Sequence, residues 1–456
     1  MTTPPDLQPN QILREVSWRE LFGWVHLFRT FRIAIHPSKL ALAWLLLLCL
    51  YLGGRALDYT WTLAAPHSVP LSVERINWPA TPSLYSDNTF LQNIPTLPRE
   101  GVFIKFFQYE VGQVDQTVQS ILNWNWLSPG GVLSSIANFL LVGPAWFYGS
   151  HPVFASIFTL WFLIIWAVFG GAVARIAAVH VARDEKMSVR QAIRFSSGKM
   201  LSFIFAPIIP LVLILLITAL LALAGLVLLN IPYAGPIILS VFFFLPLLAG
   251  AILTLLLLGT GAGFNLMYPT IAIEGSDSFD AISRSFSYVY HRPWRLIWYT
   301  AVALTYGAVC YLFIRFFIFM TLTLTQYFLG WWLPAKSAAQ WPSIWPPIEF
   351  WHLSSPLLDL RTLPWSENVT AWFVSFWVYW LITMLGAFAI SFYFSANTII
   401  YSLLRREVDA TDLDDVYVEE IEEEFTESPP IAPEKVATPG FTSTPQPPES
   451  SPSINP

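Results

Sequence analysis

Charged side chains are scarce in this chain. Asp, Glu, Lys and Arg make up 12% of its 456 residues, about half the share that is usual in soluble domains. Three stretches, 156–174, 211–229 and 237–258, contain none of these four residue types. Each is close to the ~20 residues that cross the hydrocarbon core of a bilayer. The sequence therefore predicts an all-α integral membrane protein.

Cysteine and the common catalytic motifs are also rare or missing. The two cysteines, Cys49 and Cys310, both fall in predicted spans, which argues against a disulfide framework. The chain contains no His-x3-His or His-Glu-x2-His pair, no Gly-x4-Gly-Lys-Ser/Thr loop and no Gly-x-Ser-x-Gly elbow. We therefore predict no catalytic residue, no metal site and no cofactor. The net charge of −6 argues against a nucleic-acid partner.

Six transmembrane helices are predicted, at about 38–57, 153–179, 201–229, 235–262, 294–324 and 370–403. A seventh apolar segment, 131–148, is short and is interrupted by Gly143 and Pro144. We interpret it as an interfacial or re-entrant piece, with a true span as the alternative.

The distribution of Lys and Arg predicts how the spans are oriented. Loops on one side carry 17 of these residues and loops on the other carry five. Because Lys and Arg collect on the cytoplasmic side, both termini are predicted to be cytoplasmic in a multi-pass cell-membrane protein. A crossing at 131–148 would invert every later span and remove this bias.

The segments outside the spans differ in character. Residues 1–37 form a cytoplasmic lead, in which 16–35 have the amphipathic pattern of a helix lying on the membrane. The loops 58–152 and 325–369 are predicted to be extracytoplasmic, and the second is rich in Trp and Pro. Residues 405–456 are acidic and then rich in Pro, Ser and Thr, which predicts a disordered cytoplasmic tail.

A short pattern recurs in the two longer cytoplasmic loops. It reads Glu185-x6-Ala192-Ile193-x2-Ser196 in the first and Glu274-x6-Ala281-Ile282-x2-Ser285 in the second. Each copy predicts an amphipathic elbow helix before the next span. The repeat could frame a substrate path, or it could be a recurrent way to turn the chain at the surface, which we favour. Glu185 and Glu274 are candidate functional residues on this basis.

Arg315 is the one charge well inside a predicted span. Ionisable residues in a membrane are functional candidates by default. No Asp or Glu lies in any predicted span, so we expect Arg315 either to extend to the outer surface along its own stem or to be paired structurally. The lack of carboxylates within the spans also argues against a proton- or sodium-coupled transporter.

Two stretches carry a resemblance to a known group. They are IAIEGSDSFDAISRSF at 271–286, which contains Arg284 and is followed by Trp294, and YSLLRREVD at 401–409 with DLDDVY at 412–417. Both resemble segments of uncharacterised bacterial polytopic inner-membrane proteins. These are similar to the membrane domain that accompanies some glycerophosphoryl diester phosphodiesterases. The resemblance implies an inner-membrane location, gives slight weight to lipid-related work and makes Arg284 a further candidate. It transfers no catalytic residue.

The sequence favours a non-catalytic membrane scaffold or interaction protein. Its expected partners are membrane lipids, and proteins that contact the aromatic exterior loops or the acidic tail. The alternative is a transporter or permease for an apolar or lipid-like solute, with Arg315 meeting an anionic group. An enzyme would require loop carboxylates such as Glu74, Glu100 and Glu110 to converge.

Overall fold

The computed structural model describes residues 23–65, 70, 76, 100–334, 341, 344–346, 348–353 and 365–417. These residues are helical or irregular, with no β-strand among them. A 3₁₀ helix covers Gly23–Phe28. The α-helices are α1 Arg29–Ala34, α2 Pro37–Ala64, α3 Val102–Leu122, α4 Val132–Ser150, α5 Pro152–Arg183, α6 Val189–Gly198, α7 Met200–Leu229, α8 Ala234–Val241, α9 Phe244–Glu274, α10 Ser278–His291, α11 Pro293–Gly330 and α12 Trp365–Asp409.

The fold is the predicted all-α membrane fold. Seven of the described helices are long and apolar enough to cross a bilayer: α2, α4, α5, α7, α9, α11 and α12. Six of them overlap the six predicted spans, and several run further than predicted. The fourth predicted span, 235–262, is divided, because Ala234–Val241 form the separate helix α8 and α9 begins at Phe244. The seventh, α4, covers the segment that we interpreted as interfacial. Its mean hydropathy is 1.3 over the best 18 residues, compared with 3.1 for α7.

Helix α4 contains a π-helical turn and contacts different helices at its two ends. A π-helical turn at Asn138–Val142 stands just before Gly143 and Pro144, since proline lacks the N–H that would continue the α-helical hydrogen bonds. The end of α4 lies beside the start of α5, where the hydroxyls of Tyr148 and Thr159 are 2.6 Å apart. Its first half contacts α3 instead. Whether α4 crosses the membrane stays a prediction.

Helix α12 stands at the centre of the bundle and contacts α2, α5, α9 and α11. We call the end of the bundle at which α12 finishes the inner end and the opposite end the outer end, as labels only. The half of α12 nearer the inner end is buried and is rich in small hydroxyl residues. Ser391, Ser395 and Thr398 are fully buried. Ser391 donates to the carbonyl of Ala34 (2.7 Å), and Lys39 donates to Ser395 (3.3 Å). Small side chains let neighbouring helices approach closely and bond across the interface.

Helices α7 and α9 form an apolar hairpin that is buried against the bundle only in the part nearer its inner end. No residue in the most apolar 18-residue window of α7 is buried. The buried residues of this helix all lie between Phe203 and Pro210, at its inner end. So large an exposed apolar area is typical of a surface covered by lipid or by another membrane protein, because it is poorly solvated by water.

The two predicted elbow helices are present, as α6 and α10. Ser188 and Gln191 form a capping box at the start of α6, and Asp277 accepts a hydrogen bond from the backbone N–H of Asp280 (2.9 Å) at the start of α10. The repeated alanines and serines are fully buried in both copies: Ala192, Ser196, Ala281 and Ser285. The repeat therefore marks the faces by which the elbows pack against the spans.

The described part of the lead packs into the core of the bundle with some side chains and leaves others exposed on the surface. Leu27 and Ile33 are buried in the main core, whereas Phe28 is exposed and contacts the ring of Tyr306. The chain after α12 also packs back on the bundle, as far as Tyr417. Residues 66–69, 71–75 and 77–99 of the first outer loop, most of 335–364 and the tail from 418 lie outside the described residues.

Candidate functional site

Arg315 lies in an outer charged cluster that the fold builds from three separate segments. Its guanidinium is fully buried, and its Nη2 is 2.8 Å from Oδ1 of Asp115, whose side chain is 3% exposed. It also donates to the carbonyl of Phe350, from Nη2 at 2.8 Å and from Nε at 3.1 Å. Arg315 is thus structurally paired, and it does not extend to the outer surface.

The partner carboxylate comes from α3 and not from a span. This is why the search for carboxylates within the spans missed it. The helix pattern gave no clear signal. Asp115 shares a face with Val111 and Val118, at steps of four and three residues, but Gln108 and Gln119 lie on that face too. A carboxylate is costly to bury unless it is paired, but this mixed face does not mark Asp115 as buried.

Of the carboxylates considered for an enzyme, the two that the structure describes, Glu100 and Glu110, do not come together. Glu100 lies 3.8 Å from Lys105. Glu100 stands just before α3, whereas Glu110 lies more than two turns into that helix, so roughly 10 Å or more of helix separates them by the rise per residue. Glu74 is outside the described residues. Both carboxylate oxygens of Glu110 are buried with no hydrogen-bond partner among the described residues. Burial raises the pKa of Glu110 to about 8, so this group is mostly protonated at neutral pH.

Glu274 and Arg284 meet in a second charged cluster at the inner end of the bundle. Glu274 is the last residue of α9, and its side chain is 8% exposed. It accepts a hydrogen bond from the hydroxyl of Tyr401 (2.6 Å) and one from Nη1 of Arg284 (3.1 Å). Nε of Arg405 lies 3.3 Å from the same carboxylate. A carboxylate at a helix C-terminus opposes the helix dipole, so these two arginines offset an otherwise unfavourable placement.

Each of these arginines reaches a second acid. Arg284 lies 3.1 Å from Asp280, one turn earlier in α10. Burial lowers the pKa of Arg284, but Asp280 and Glu274 outweigh it, and the net pKa is above its usual range. Arg405 lies 2.9 Å from Asp415. The cluster therefore ties α9, α10, α12 and the chain after α12 together.

Glu185, the counterpart of Glu274 in the first repeat, is exposed on the loop between α5 and α6. It has no hydrogen bond or ion pair among the described residues. The first elbow is organised by Arg175 instead, which donates to the carbonyls of Ala272 (2.7 Å) and Tyr417 (2.6 Å). Its guanidinium also covers the ring of Phe195, 4.3 Å from the centroid. The two copies of the repeat share a shape but not a charge arrangement.

The chemistry available to these clusters is limited. In the inner cluster the arginines and the carboxylates are paired with one another. Within the described residues, no three His, Cys, Asp or Glu side chains converge as a metal site. Two cavities lie elsewhere. One, of about 240 Å³, is at the inner end of the bundle. The other, of about 540 Å³, lies at the outer end of α11 and is bordered by Tyr327, Trp331 and Trp341.

Together the fold and these clusters define a polytopic α-helical membrane protein whose buried charges are held mainly by side chains and carbonyls of the protein itself. Comparisons of the chain with protein-family models, with curated proteins and with solved structures give no match. The resemblance to inner-membrane proteins therefore stays a prediction.

Proposed function

We propose that this protein is a non-catalytic membrane scaffold that contacts lipids and binds other membrane proteins laterally. The observation that carries the proposal is the burial of Arg315 against Asp115 and the Phe350 carbonyl. A transporter that used this arginine to meet an anionic solute would need a polar route to it. Neither of the two cavities described above is lined by Arg315.

The inner cluster supports the same proposal. Glu274 has Tyr401, Arg284 and Arg405 around it, and these contacts join three helices. Such a cluster favours a single arrangement of the inner helix ends. A transporter would need those ends to alternate between two arrangements. A rigid inner end suits a protein that holds partners in place.

Two surfaces are available for lateral contacts. The α7–α9 hairpin presents an apolar face inside the membrane. At the outer end of α11, the cavity bordered by Tyr327 and Trp341 offers aromatic side chains, which are enriched at protein interfaces. The proposal includes a bacterial inner-membrane location with both termini in the cytoplasm, supported by the Lys and Arg bias and by the resemblance.

Reconstitution of the purified full chain in liposomes tests the proposal. A scaffold moves neither fluorescent lipids nor trapped solutes faster than protein-free liposomes do, and mild-detergent capture with mass spectrometry recovers the same lipids or proteins repeatedly. Lipid or solute movement that is abolished by Arg315→Gln, in a variant that still folds, would overturn the scaffold and support the transporter.

A further inference from the structure

The inner cavity lies between four parts of the chain that are far apart in sequence. Its walls come from the lead, α5, α12 and the segment 410–417, which follows α12. Its volume of about 240 Å³ is below the roughly 300–1,000 Å³ of pockets that hold drug-sized ligands. The cavity can therefore hold a small polar group with a short apolar extension.

Two opposite charges line this cavity without pairing with each other. Arg29 comes from α1 and Asp414 from the segment 410–417. The ion pair of Arg29 is with Asp184, at 3.8 Å between half-exposed side chains. Contacts of this kind in water contribute little. Asp414 has no ion pair or hydrogen bond among the described residues. Asp414 can therefore meet a positive charge on a ligand, and Arg29 can meet a negative charge at the cost of only a weak, half-exposed ion pair.

The rest of the lining is mostly aliphatic, with side chains such as Ile33, Val181 and Leu413. Ser402 also lines the cavity, but its hydroxyl donates to the carbonyl of Thr398 (2.9 Å), so the charged contacts of a ligand would be with Arg29 and Asp414. The lead helix is predicted to lie at the membrane surface, so the cavity would lie near the level of lipid headgroups.

We propose that this cavity binds a lipid headgroup that carries a phosphate and a primary ammonium. The phosphate would lie at Arg29 and the ammonium at Asp414, with the glycerol region of the lipid against the aliphatic wall. Free phosphoethanolamine has the same charged groups, but it would leave the aliphatic wall uncovered. The aliphatic wall therefore favours a membrane lipid with an ethanolamine-type headgroup. The inference deepens the lipid contact in the proposed function and rests on it only in placing this end of the bundle at a membrane surface.

The backbone that carries Asp414 is held in place by contacts of the residues that follow it. Asp415, the next residue, pairs with Arg405 at 2.9 Å. The N–H of Tyr417 donates to the carbonyl of Ile273 (2.8 Å), and Arg175 holds the carbonyl of Tyr417. The segment 410–417 thus presents Asp414 from a fixed backbone.

The experiment uses the full chain in detergent and measures the binding of short-chain lipids by native mass spectrometry. The probes are dihexanoyl phosphatidylethanolamine, dihexanoyl phosphatidylglycerol and water-soluble phosphoethanolamine. We expect the ethanolamine lipid to bind on the order of fivefold more tightly than the glycerol lipid, the size of one partly exposed ion pair. Phosphoethanolamine should bind more weakly than the lipid.

Matched variants separate the two charges. Asp414→Asn should remove the preference for ethanolamine, and Arg29→Gln should weaken both lipids about equally. Asp412→Asn and Arg32→Gln change exposed residues that do not line the cavity, and they should leave the preference unchanged. Asp414→Glu keeps the negative charge and should keep the preference for the ethanolamine lipid. This variant provides the test if Asp414→Asn fails to fold.

Equal binding of the two lipids, or a preference that survives Asp414→Asn, would overturn the site. Phosphoethanolamine binding as tightly as the lipid would overturn a lipid as the ligand and point to the free compound. These outcomes are distinct from a failure of the scaffold proposal, which is measured by lipid and solute movement in liposomes and does not depend on headgroup preference.

Discussion

Nη2 of Arg315 lies 2.8 Å from Oδ1 of Asp115, although 200 residues separate the two along the chain. The pair connects an outer-loop helix to a membrane-spanning one. It also explains how an arginine is tolerated within the apolar length of α11. The outer region is therefore part of the membrane bundle's own packing.

Removing one member of this pair should be strongly destabilising. Asp115→Asn or Arg315→Gln leaves a buried charge without its counter-ion, which costs about 3–5 kcal/mol. Thermal unfolding of the purified protein in detergent measures the loss. The double variant should lose less than the sum of the two single variants, because neither charge is then left alone.

A second ion pair of the same chain is the control. Arg55 and Asp58 are 3.9 Å apart, and the side chain of Arg55 is 50% exposed. Arg55→Gln should therefore cost less than about 1 kcal/mol. If Arg315→Gln were no worse than Arg55→Gln, the outer pair would not contribute to stability.

The two copies of the repeat should respond differently to the same substitution. Glu274→Gln weakens the contacts with Arg284 and Arg405 and should cost about 2–3 kcal/mol, the range for hydrogen bonds to charged groups. Glu185→Gln changes an exposed side chain and should stay within about 0.5 kcal/mol. The melting temperatures of the two variants under identical conditions test this, and equal values would contradict it.

Glu110 should make stability depend on pH. Its pKa is raised by burial to about 8 in the folded protein, whereas an unperturbed Glu has a pKa of about 4.3. Between these values the folded state holds a proton that the unfolded state has lost. The protonated carboxyl of Glu110 therefore contributes fully to the free energy of unfolding below about pH 4.3. This contribution falls as the pH rises and is lost above about pH 8.

Glu110→Gln should flatten this dependence and should be more stable than the unmodified protein at pH 8.5, since the amide needs no proton. Melting temperatures recorded from pH 5.5 to 8.5 provide the measurement. Glu185→Gln, at an exposed position, is the control and should keep the original slope. An unchanged slope in Glu110→Gln would show that its carboxyl is not the source.

Labelling of single cysteines decides whether α4 crosses the membrane. In a background without Cys49 and Cys310, Leu127→Cys and Arg190→Cys place thiols at exposed positions before α4 and after α5. With six spans the two thiols lie on opposite sides, so a membrane-impermeant reagent added to intact cells should label position 127 alone. Labelling of both positions would mean that α4 spans and that the later helices are inverted.

Local signals predicted the helices of this fold well. Apolar length located the spans, and the capping residues Ser188 and Asp277 located both elbows. Helix ends were less predictable. Pro269 would normally end a helix, yet α9 continues through it to Glu274, because Tyr401, Arg284 and Arg405 stabilise the final carboxylate. These contacts come from other helices, so the sequence around Glu274 does not indicate them.

The charge pairs were the least predictable feature. The sequence singled out Arg315, Glu274 and Arg284, but it could not supply their partners Asp115 and Arg405. Partner choice depends on which helices pack together, which no periodicity within a single helix encodes. The same reason explains why Glu185 was chosen along with Glu274, although only the second is buried.

The hairpin of α7 and α9 is attached to the bundle only near its inner end. Its opposite tip, at Asn230 and Tyr233, is exposed. A change in bilayer thickness would therefore act on this hairpin as a lever, tilting it about its inner attachment while the other helices keep their angles. Thicker or thinner membranes would change the profile that this protein presents to its neighbours.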